Sequence, residues 1–291
     1  MIFPVERVVY VKDVMEQYSA NITKTLDYMA STNGCFHYPI FITISNIGDK
    51  IMTSQGTDTM YAENKYFPDV FKGCKHECIY CVPSFQRQAK RQKQHCEKCY
   101  TFEPHAHLER LNKKSPKTTG KQFVFFPKGG DLAFAHPSHI IEMLKFVENN
   151  PQTTFLFGQT KDPRYLANYR FPQNVILAIT LETNRTEFDT PSKIKTYNDV
   201  SLAPKGFMRV TDFLRVKHNR KAVIIEPVLQ FNLETLVSWI CQLEPEFVYL
   251  GYDTKKCRLP EPTITETRAL KRELEKFTEV RLKTWRSPWW D

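Results

Sequence analysis

The chain has 291 residues, of which 41% are hydrophobic and 25% are charged, and its formal net charge is +9. This length allows a sizeable buried core and argues against a small secreted domain held by disulfides. The first residues carry Glu6, Lys12 and Asp13 where a signal peptide would be apolar, and no stretch approaches the roughly 18 apolar residues of a membrane span. We therefore expect a cytoplasmic protein, with no membrane partner, whose cysteines are reduced thiols or metal ligands.

The chain opens with a predicted N-terminal extension, residues 1–64, which packs on the remainder. In it, residues 13–29 predict a helix and residues 41–45 predict a strand. Short apolar, β-rich runs follow at residues 123–126, 153–158, 175–182, 222–229 and 247–252. Helical patterns separate or follow these runs at residues 139–150, 207–219, 233–243 and 263–278.

Near-continuous apolar strands separated by helices indicate a parallel sheet that is covered on both faces. We therefore predict an α/β fold for residues 65–291, a (β/α) partial TIM-type barrel with mostly parallel strands. In such a barrel the reactive groups lie at the carboxyl ends of the strands. A basic insertion that contains Cys and His residues, 82–121, would interrupt this domain.

The loop GCKHECIYC places Cys74, Cys78 and Cys81 within eight residues, with the spacing C-x3-C-x2-C. A structural zinc site normally uses four Cys or His ligands grouped in two pairs, and the C-x3-C step is awkward for a zinc knuckle. Three thiolates could instead hold three irons of a four-iron, four-sulfur ([4Fe-4S]) cluster and leave the fourth iron open to an exogenous ligand. An open metal position is typical of a catalytic site.

This spacing, with Tyr80 before the last cysteine and a probable strand before the loop, resembles the signature of the radical S-adenosylmethionine superfamily. The resemblance implies that the open iron binds the amino and carboxylate groups of S-adenosylmethionine. An electron from the reduced cluster then cleaves this cofactor to methionine and a 5′-deoxyadenosyl radical, which abstracts hydrogen from a substrate. Such an enzyme needs a one-electron donor such as flavodoxin or ferredoxin, and Tyr80 would flank the adenine.

Further motifs are similar to those of this superfamily. Gly129, Gly130 and Asp131 resemble its Gly-Gly-Glu turn, which meets the amino group of S-adenosylmethionine, although Asp is one methylene shorter than Glu. A lone Gly-Gly-Asp is also a common turn. Thr180 and Glu182 end a later strand and would line the cofactor and substrate pocket of such a barrel. Their alternative role is a strand-end cap or a salt bridge.

A closer resemblance covers about residues 65–255. The runs HLERL, KQFVFFPKGGDLAF, AVIIEPVL and FVYLGYD occur in the order seen in a largely uncharacterised, phage-encountered branch of the superfamily, distantly reminiscent of spore photoproduct lyase. This resemblance covers most of the chain, but it implies no particular reaction.

The insertion at 82–121 holds ten lysines or arginines against three glutamates, together with Phe85, Tyr100 and Phe102. Such a segment could neutralise phosphates while its aromatic rings stack on unpaired bases. We therefore expect a nucleic acid as a substrate. The alternative is a solvated surface insertion without a partner.

Within this insertion, Cys96 and Cys99 form a C-x2-C pair, and His105 and His107 follow closely enough to complete a tetrahedral zinc site. The two cysteines could alternatively bind a second cluster, donate a hydrogen atom to a product radical, or remain simple thiols beside two surface histidines.

The sequence as a whole predicts a radical S-adenosylmethionine enzyme. One alternative is a non-catalytic nucleic-acid-binding protein with a structural metal, and another is a radical enzyme that acts on a peptide or a small metabolite. No residue near the predicted pocket identifies the hydrogen-abstraction site.

Overall fold

The computed structural model describes residues 61–81 and 94–291. Its strands are β1 (Phe71–Gly73), β2 (His105–Ala106), β3 (Val124–Phe126), β4 (Gly129–Gly130), β5 (Phe155–Thr160), β6 (Val175–Thr180), β7 (Lys221–Ile225), β8 (Phe247–Gly251) and β9 (Glu279–Lys283). Its α-helices are α1 (Glu97–Thr101), α2 (Pro137–Glu148), α3 (Gly206–Leu214), α4 (Leu233–Leu243) and α5 (Ile264–Leu274). The helix and strand predicted at 13–29 and 41–45 lie outside the described residues.

Six strands form one sheet in the order β3-β5-β6-β7-β8-β9, and every neighbouring pair is parallel. The sheet curls into a half-barrel. The predicted α/β class with mostly parallel strands is thereby confirmed. The carboxyl ends of the six strands lie at one edge of this half-barrel.

The inner strands of the sheet are buried on both faces, which explains why a strand such as β6 is almost wholly apolar. Phe123 and Phe125 belong to the cluster that also holds Ala178, Ala222 and Tyr249. Their neighbours Val124 and Phe126 belong to a second, larger cluster, which includes the buried residues of the helices. Alternate residues of a strand point to opposite faces. An almost wholly apolar run such as β6, in which all six residues are buried, is therefore what a two-sided sheet requires.

Local sequence fixes where the helices begin. Asn232 caps α4 by accepting from the Thr235 amide at 3.0 Å, and a Thr263/Glu266 capping box begins α5. These side chains satisfy amide groups that have no partner inside the helix. Pro137 stands in the first turn of α2, where its missing N–H costs nothing.

A small sheet in the order β2-β1-β4 adjoins the half-barrel. Ahead of it, the Lys65 amide donates to the Phe123 carbonyl at 2.8 Å, and the Phe123 amide donates to the Glu63 carbonyl at 3.2 Å. Further on, β1 pairs in parallel with β4. Residues 63–73 therefore run beside residues 123–130, and the chain reaches Cys74 from the edge of the sheet.

The predicted N-terminal extension lies mostly outside the described residues, apart from residues 61–64. Tyr61 is 2% exposed and stacks on Tyr249 with ring centroids 4.2 Å apart. Its hydroxyl donates to Gln159 Oε1 at 2.8 Å. Tyr61 at this end of the extension therefore packs against one face of the six-stranded sheet.

The predicted element ends differ from the observed ones where proline or charge intervenes. The run predicted as a strand to residue 229 leaves the sheet after Ile225, because Pro227 has no N–H to donate to a neighbouring strand. Strand β9 was not predicted, because its sequence EVRLK carries three charges. Helix α3 ends at Leu214 rather than at the predicted residue 219.

In the described part of the chain, no helix combines the length and the apolar character that crossing a bilayer demands. The cytoplasmic location stays a prediction.

Candidate functional site

The cysteine loop follows β1 and lies at the carboxyl edge of the half-barrel. Cys78 is 5% exposed, whereas Cys74 and Cys81 are partly buried, and all three are free thiols. The Ile79 amide donates to the Val200 carbonyl at 3.1 Å, and the Leu202 amide donates to the His76 carbonyl at 2.8 Å. Residues 200–202 therefore hold the loop on both sides of Cys78.

Burial keeps the thiols of Cys74 and Cys81 from ionising easily. Burial, and then Asp131, raises the pKa of Cys74 well above its ordinary value. Burial, and then the neighbouring Cys78, raises the pKa of Cys81 to about 12. Cys78 contributes to the raised pKa of both Cys74 and Cys81. Thiols in such a place become thiolates when a metal binds, because the metal replaces their protons.

A single carboxylate, Asp131, ties the cysteine loop to the sheet. Its Oδ1 accepts from Thr160 Oγ1 at 2.6 Å and from the Ala133 amide at 3.0 Å. Its Oδ2 accepts from the Lys161 amide and lies 3.0 Å from His76 Nε2. Cys74, His76 and Asp131 bring their ligand atoms within 4.8 Å of one another. Asp131 thus stands beside Cys74, but the protein already occupies both of its oxygens.

Glycines let three backbone segments stack without side chains between them. Gly73 has φ +96°, and a Cβ there would overlap the backbone of Glu103 and Pro104. A Cβ on Gly130 would overlap the backbone of Gly73. The predicted Gly129–Gly130 turn is therefore a short strand that lies directly against the residue before Cys74.

Glu182 is the centre of a buried charge network behind the cysteine loop. Arg209 Nη1 lies 2.5 Å from its Oε2, and Lys161 Nζ lies 2.7 Å from its Oε1. Burial alone would raise the pKa of Glu182, but Arg209 and Lys161 outweigh it and hold that pKa far below the ordinary value. Lys161 Nζ also donates to Cys78 Sγ at 2.9 Å. The network therefore extends to a cysteine of the loop.

The remaining predicted cofactor residues adjoin this network. The Tyr80 hydroxyl bonds both Glu182 Oε1 and Lys161 Nζ. Thr180 Oγ1 accepts from Gln159 Nε2 at 3.1 Å, and the Thr180 carbonyl accepts from Arg209 Nη1 at 2.7 Å. Glu182 thus forms the salt bridge that the sequence offers as its alternative role, and the binding of a cofactor by Tyr80, Thr180 and Glu182 stays a prediction. Tyr80 contacts the charged pair.

A second group of possible metal ligands lies on the other side of β1. Cys96, Cys99, His105 and His107 place their ligand atoms within 4.8 Å of one another, so together they could bind a metal ion. Cys99 Sγ is 3.3 Å from His105 Nε2 and 3.1 Å from His107 Nε2. Burial, and then Arg110 and His105, lowers the pKa of His107 and favours its neutral, ligating form.

The basic insertion is only partly described, since Phe85 and the basic residues at 87–93 lie outside the described residues. Lys98 pairs with Glu103 at 3.5 Å, and Lys121 pairs with Glu279 at 2.6 Å. In contrast, three exposed lysines form no ion pair within residues 61–81 and 94–291: Lys113, Lys114 and Lys117. Tyr100 and Phe102 are partly buried, which reduces the ring area available for stacking.

Sequence reasoning missed Arg209 and Ser201. Arg209 is fully buried on α3 among apolar neighbours, and its partner Glu182 is 27 residues away in sequence. Ser201 Oγ lies 3.1 Å from Cys78 Sγ. The sequence signals Arg209 only as a charged residue on the otherwise apolar face of a predicted helix. Ser201 lies in a loop, and its sequence context gives no signal.

Comparisons of the chain with protein-family models, with curated proteins and with solved structures find no match.

Proposed function

We propose that the protein is a radical S-adenosylmethionine enzyme, in which Cys74, Cys78 and Cys81 hold a 4Fe-4S cluster. One observation supports this most directly. A loop with three free thiols follows a strand at the carboxyl edge of a parallel half-barrel, beside the Gly129–Gly130 strand. Carboxyl edges are where barrels of the TIM type carry their reactive groups.

The donor set fits the proposed cluster. Three thiols offer soft ligands to three irons, and this count leaves one iron for an exogenous ligand. Bound there, S-adenosylmethionine would be cleaved reductively to supply a 5′-deoxyadenosyl radical. Residues 200–202 hydrogen-bond the backbone of the thiol loop, and Ile79 and Tyr80 of the loop pack against a buried apolar cluster, which would limit the access of water. Excluding water and stray donors is the protein's part in radical chemistry.

Anaerobic reconstitution tests this function. Protein treated with iron and sulfide should retain about four irons per chain and should convert S-adenosylmethionine to methionine and 5′-deoxyadenosine when a one-electron reductant such as reduced flavodoxin is added. A chain that retains no iron, or that binds iron without cleaving the cofactor, would contradict the proposal.

The proposed substrate is a nucleic acid, which Lys113, Lys114 and Lys117 would help to bind. Replacing the three lysines by alanine should flatten the dependence of single-stranded oligonucleotide affinity on salt by about two ions, because each neutralised phosphate contributes roughly 0.7. Fluorescence anisotropy at several salt concentrations measures this slope.

The matched control replaces three lysines that already have glutamate partners: Lys145, Lys271 and Lys276. It changes the net charge equally, and we expect a smaller effect on the slope. Equal slopes in both variants, or no binding at low salt, would contradict a phosphate site at these lysines and favour a peptide or a metabolite as substrate.

We also propose that the second group of ligands binds zinc. Two thiols and two imidazoles form the donor set of common structural zinc sites. A variant in which Cys74, Cys78 and Cys81 are all alanine should therefore still contain about one zinc per chain, the amount for a single four-ligand site. Elemental analysis of the purified variant checks this. If the parent chain contains zinc and this variant does not, the zinc of the parent is bound at the cysteine loop.

A further inference from the structure

The second group of ligands has the dimensions of a closed, four-coordinate site. Its two Nε2 atoms are 2.9 Å apart, and Cys96 Sγ is 3.5 Å from His105 Nε2. A tetrahedral zinc ion with bonds of about 2.0–2.3 Å would separate its ligand atoms by about 3.3–3.8 Å. Four separations between these ligand atoms differ from these values by about half an ångström or less, and the protein would fill all four positions.

The other nitrogen of each imidazole is already bound to an acceptor. His105 Nδ1 lies 2.7 Å from the Glu103 carbonyl, and His107 Nδ1 lies 3.2 Å from Glu109 Oε1. A carbonyl and a carboxylate only accept hydrogen bonds, so both Nδ1 atoms carry hydrogen, and in the neutral form of each ring the Nε2 atom presents a lone pair. Two lone pairs that face each other at 2.9 Å repel. A divalent cation between them would use both, and the outer acceptors fix the ring orientations as in known zinc sites.

The secondary-structure elements that carry these ligands are too short to be stable on their own. Helix α1 has five residues and strand β2 has two. The Cys99 amide donates to Cys96 Sγ at 3.4 Å, and the Tyr100 amide donates to the Cys96 carbonyl at 3.1 Å within the same turn. Very small units normally need a metal or a disulfide to stay folded.

This small unit is attached to the strand that leads into the cysteine loop. Strand β2 pairs with β1, with Lys72 opposite His105. The His107 amide donates to the Val70 carbonyl at 2.7 Å. On the other side of β1, the Asp131 amide donates to the Gly73 carbonyl at 3.3 Å.

Backbone stacks on backbone across this strand. The 103–104 segment, Gly73 and Gly130 are in direct contact, because a side chain at either glycine would overlap its neighbour. A side chain can absorb a displacement by changing its rotamer. Backbone atoms in direct contact cannot, so a displacement passes from one segment to the next. A shift of residues 96–107, which carry the four ligands, should therefore move Gly73, and with it Cys74.

We propose that zinc bound by Cys96, Cys99, His105 and His107 is a structural clamp, which fixes β1 and thereby presents the cysteine loop for cluster binding. The dependence is one-way: the clamp forms without the cluster, whereas the cluster loop needs the clamp. The need of the cluster loop for the clamp rests on the proposed cluster. The formation of the clamp does not.

Amide hydrogen exchange in the Cys78→Ala background tests the clamp in the absence of a cluster. Adding Cys99→Ala should abolish zinc binding and speed exchange several-fold in peptides that span residues 68–74, 103–108 and 128–132. Peptides from α4 should be unaffected. His95→Ala is the matched control, because His95 is adjacent to Cys96 but exposed, and it should retain the zinc and the slow exchange.

Chelation gives the same test without a substitution. Protein stripped of zinc should show the same local acceleration, and added zinc should reverse it. This measurement decides the matter if Cys99→Ala unfolds the whole chain. Absence of zinc from the parent protein, or unchanged exchange in the three peptides after zinc removal, would overturn the clamp.

Iron content then tests the coupling to the cluster. In the chain with all three loop cysteines intact, Cys99→Ala should lower reconstituted iron several-fold relative to His95→Ala. Iron that is equal in the two variants would overturn the coupling and leave the proposed function standing. Failure of the parent chain to bind iron would overturn the proposed function and with it the coupling, whereas the exchange data would still decide the clamp.

Discussion

Replacing Cys78 by alanine is expected to abolish both the proposed iron–sulfur cluster and the proposed cleavage of S-adenosylmethionine. Its thiol is the most buried of the three, so water cannot readily replace it as a ligand. Iron should fall from about four per chain to nearly none. Iron analysis, visible absorption and chromatography of the reductive cleavage products measure the loss.

Cys257→Ala is the matched control. The Cys257 thiol donates to the Ile79 carbonyl at 3.8 Å and touches the same loop, but it lies outside the C-x3-C-x2-C spacing. This variant should keep its iron and its colour. If Cys78→Ala retained near-parental iron, the three cysteines would not act as one ligand set, and the assignment of the loop would be wrong.

Replacing Arg209 by methionine is expected to destabilise the fold by about 3–5 kcal/mol, because it leaves the buried Glu182 with only one cationic partner. The guanidinium also donates to the carbonyls of Thr180 and Pro204, each at 2.7 Å. For a domain of this size the melting temperature should fall by roughly 6–20 °C. Thermal unfolding followed by circular dichroism measures the shift.

A double substitution and an exposed pair serve as controls. Arg209→Met combined with Glu182→Leu should recover part of the loss, since removing both charges costs less than isolating one. Arg220→Ala breaks a partly exposed pair with Glu246 and should cost less than about 1 kcal/mol. If Arg209→Met were as mild as Arg220→Ala, the buried network would not stabilise the fold.

Much of the sheet could be predicted because a strand that is buried on both faces consists mainly of consecutive apolar residues. Strands β5 to β8 appear as unbroken apolar runs, and each was predicted within a few residues of its observed position. Strand β9 stands at the edge of the sheet, where its residues are only partly buried. It therefore carries charges and lacks the apolar signature.

The metal ligands could be predicted because their spacing is local. Cys96 and Cys99 are one helical turn apart, and the prediction that His105 and His107 join them is confirmed as a group that could bind a metal ion. The buried network could not be predicted, because Glu182, Arg209 and Lys161 meet only through the packing of β6 and α3. No spacing rule relates residues that lie 20 or more positions apart.

The stacked glycines at positions 73 and 130 limit how this region can change by mutation. A clash introduced at one position is often relieved by a smaller residue at the other, but here both residues are already the smallest available. Relief of the clash would have to come from the backbone of residues 103–104, which belongs to the segment 96–107 that carries the four metal ligands. We therefore expect random mutagenesis with selection for folded protein to return glycine at both positions. A designer who transplants the cysteine loop into another barrel would have to carry all three segments together.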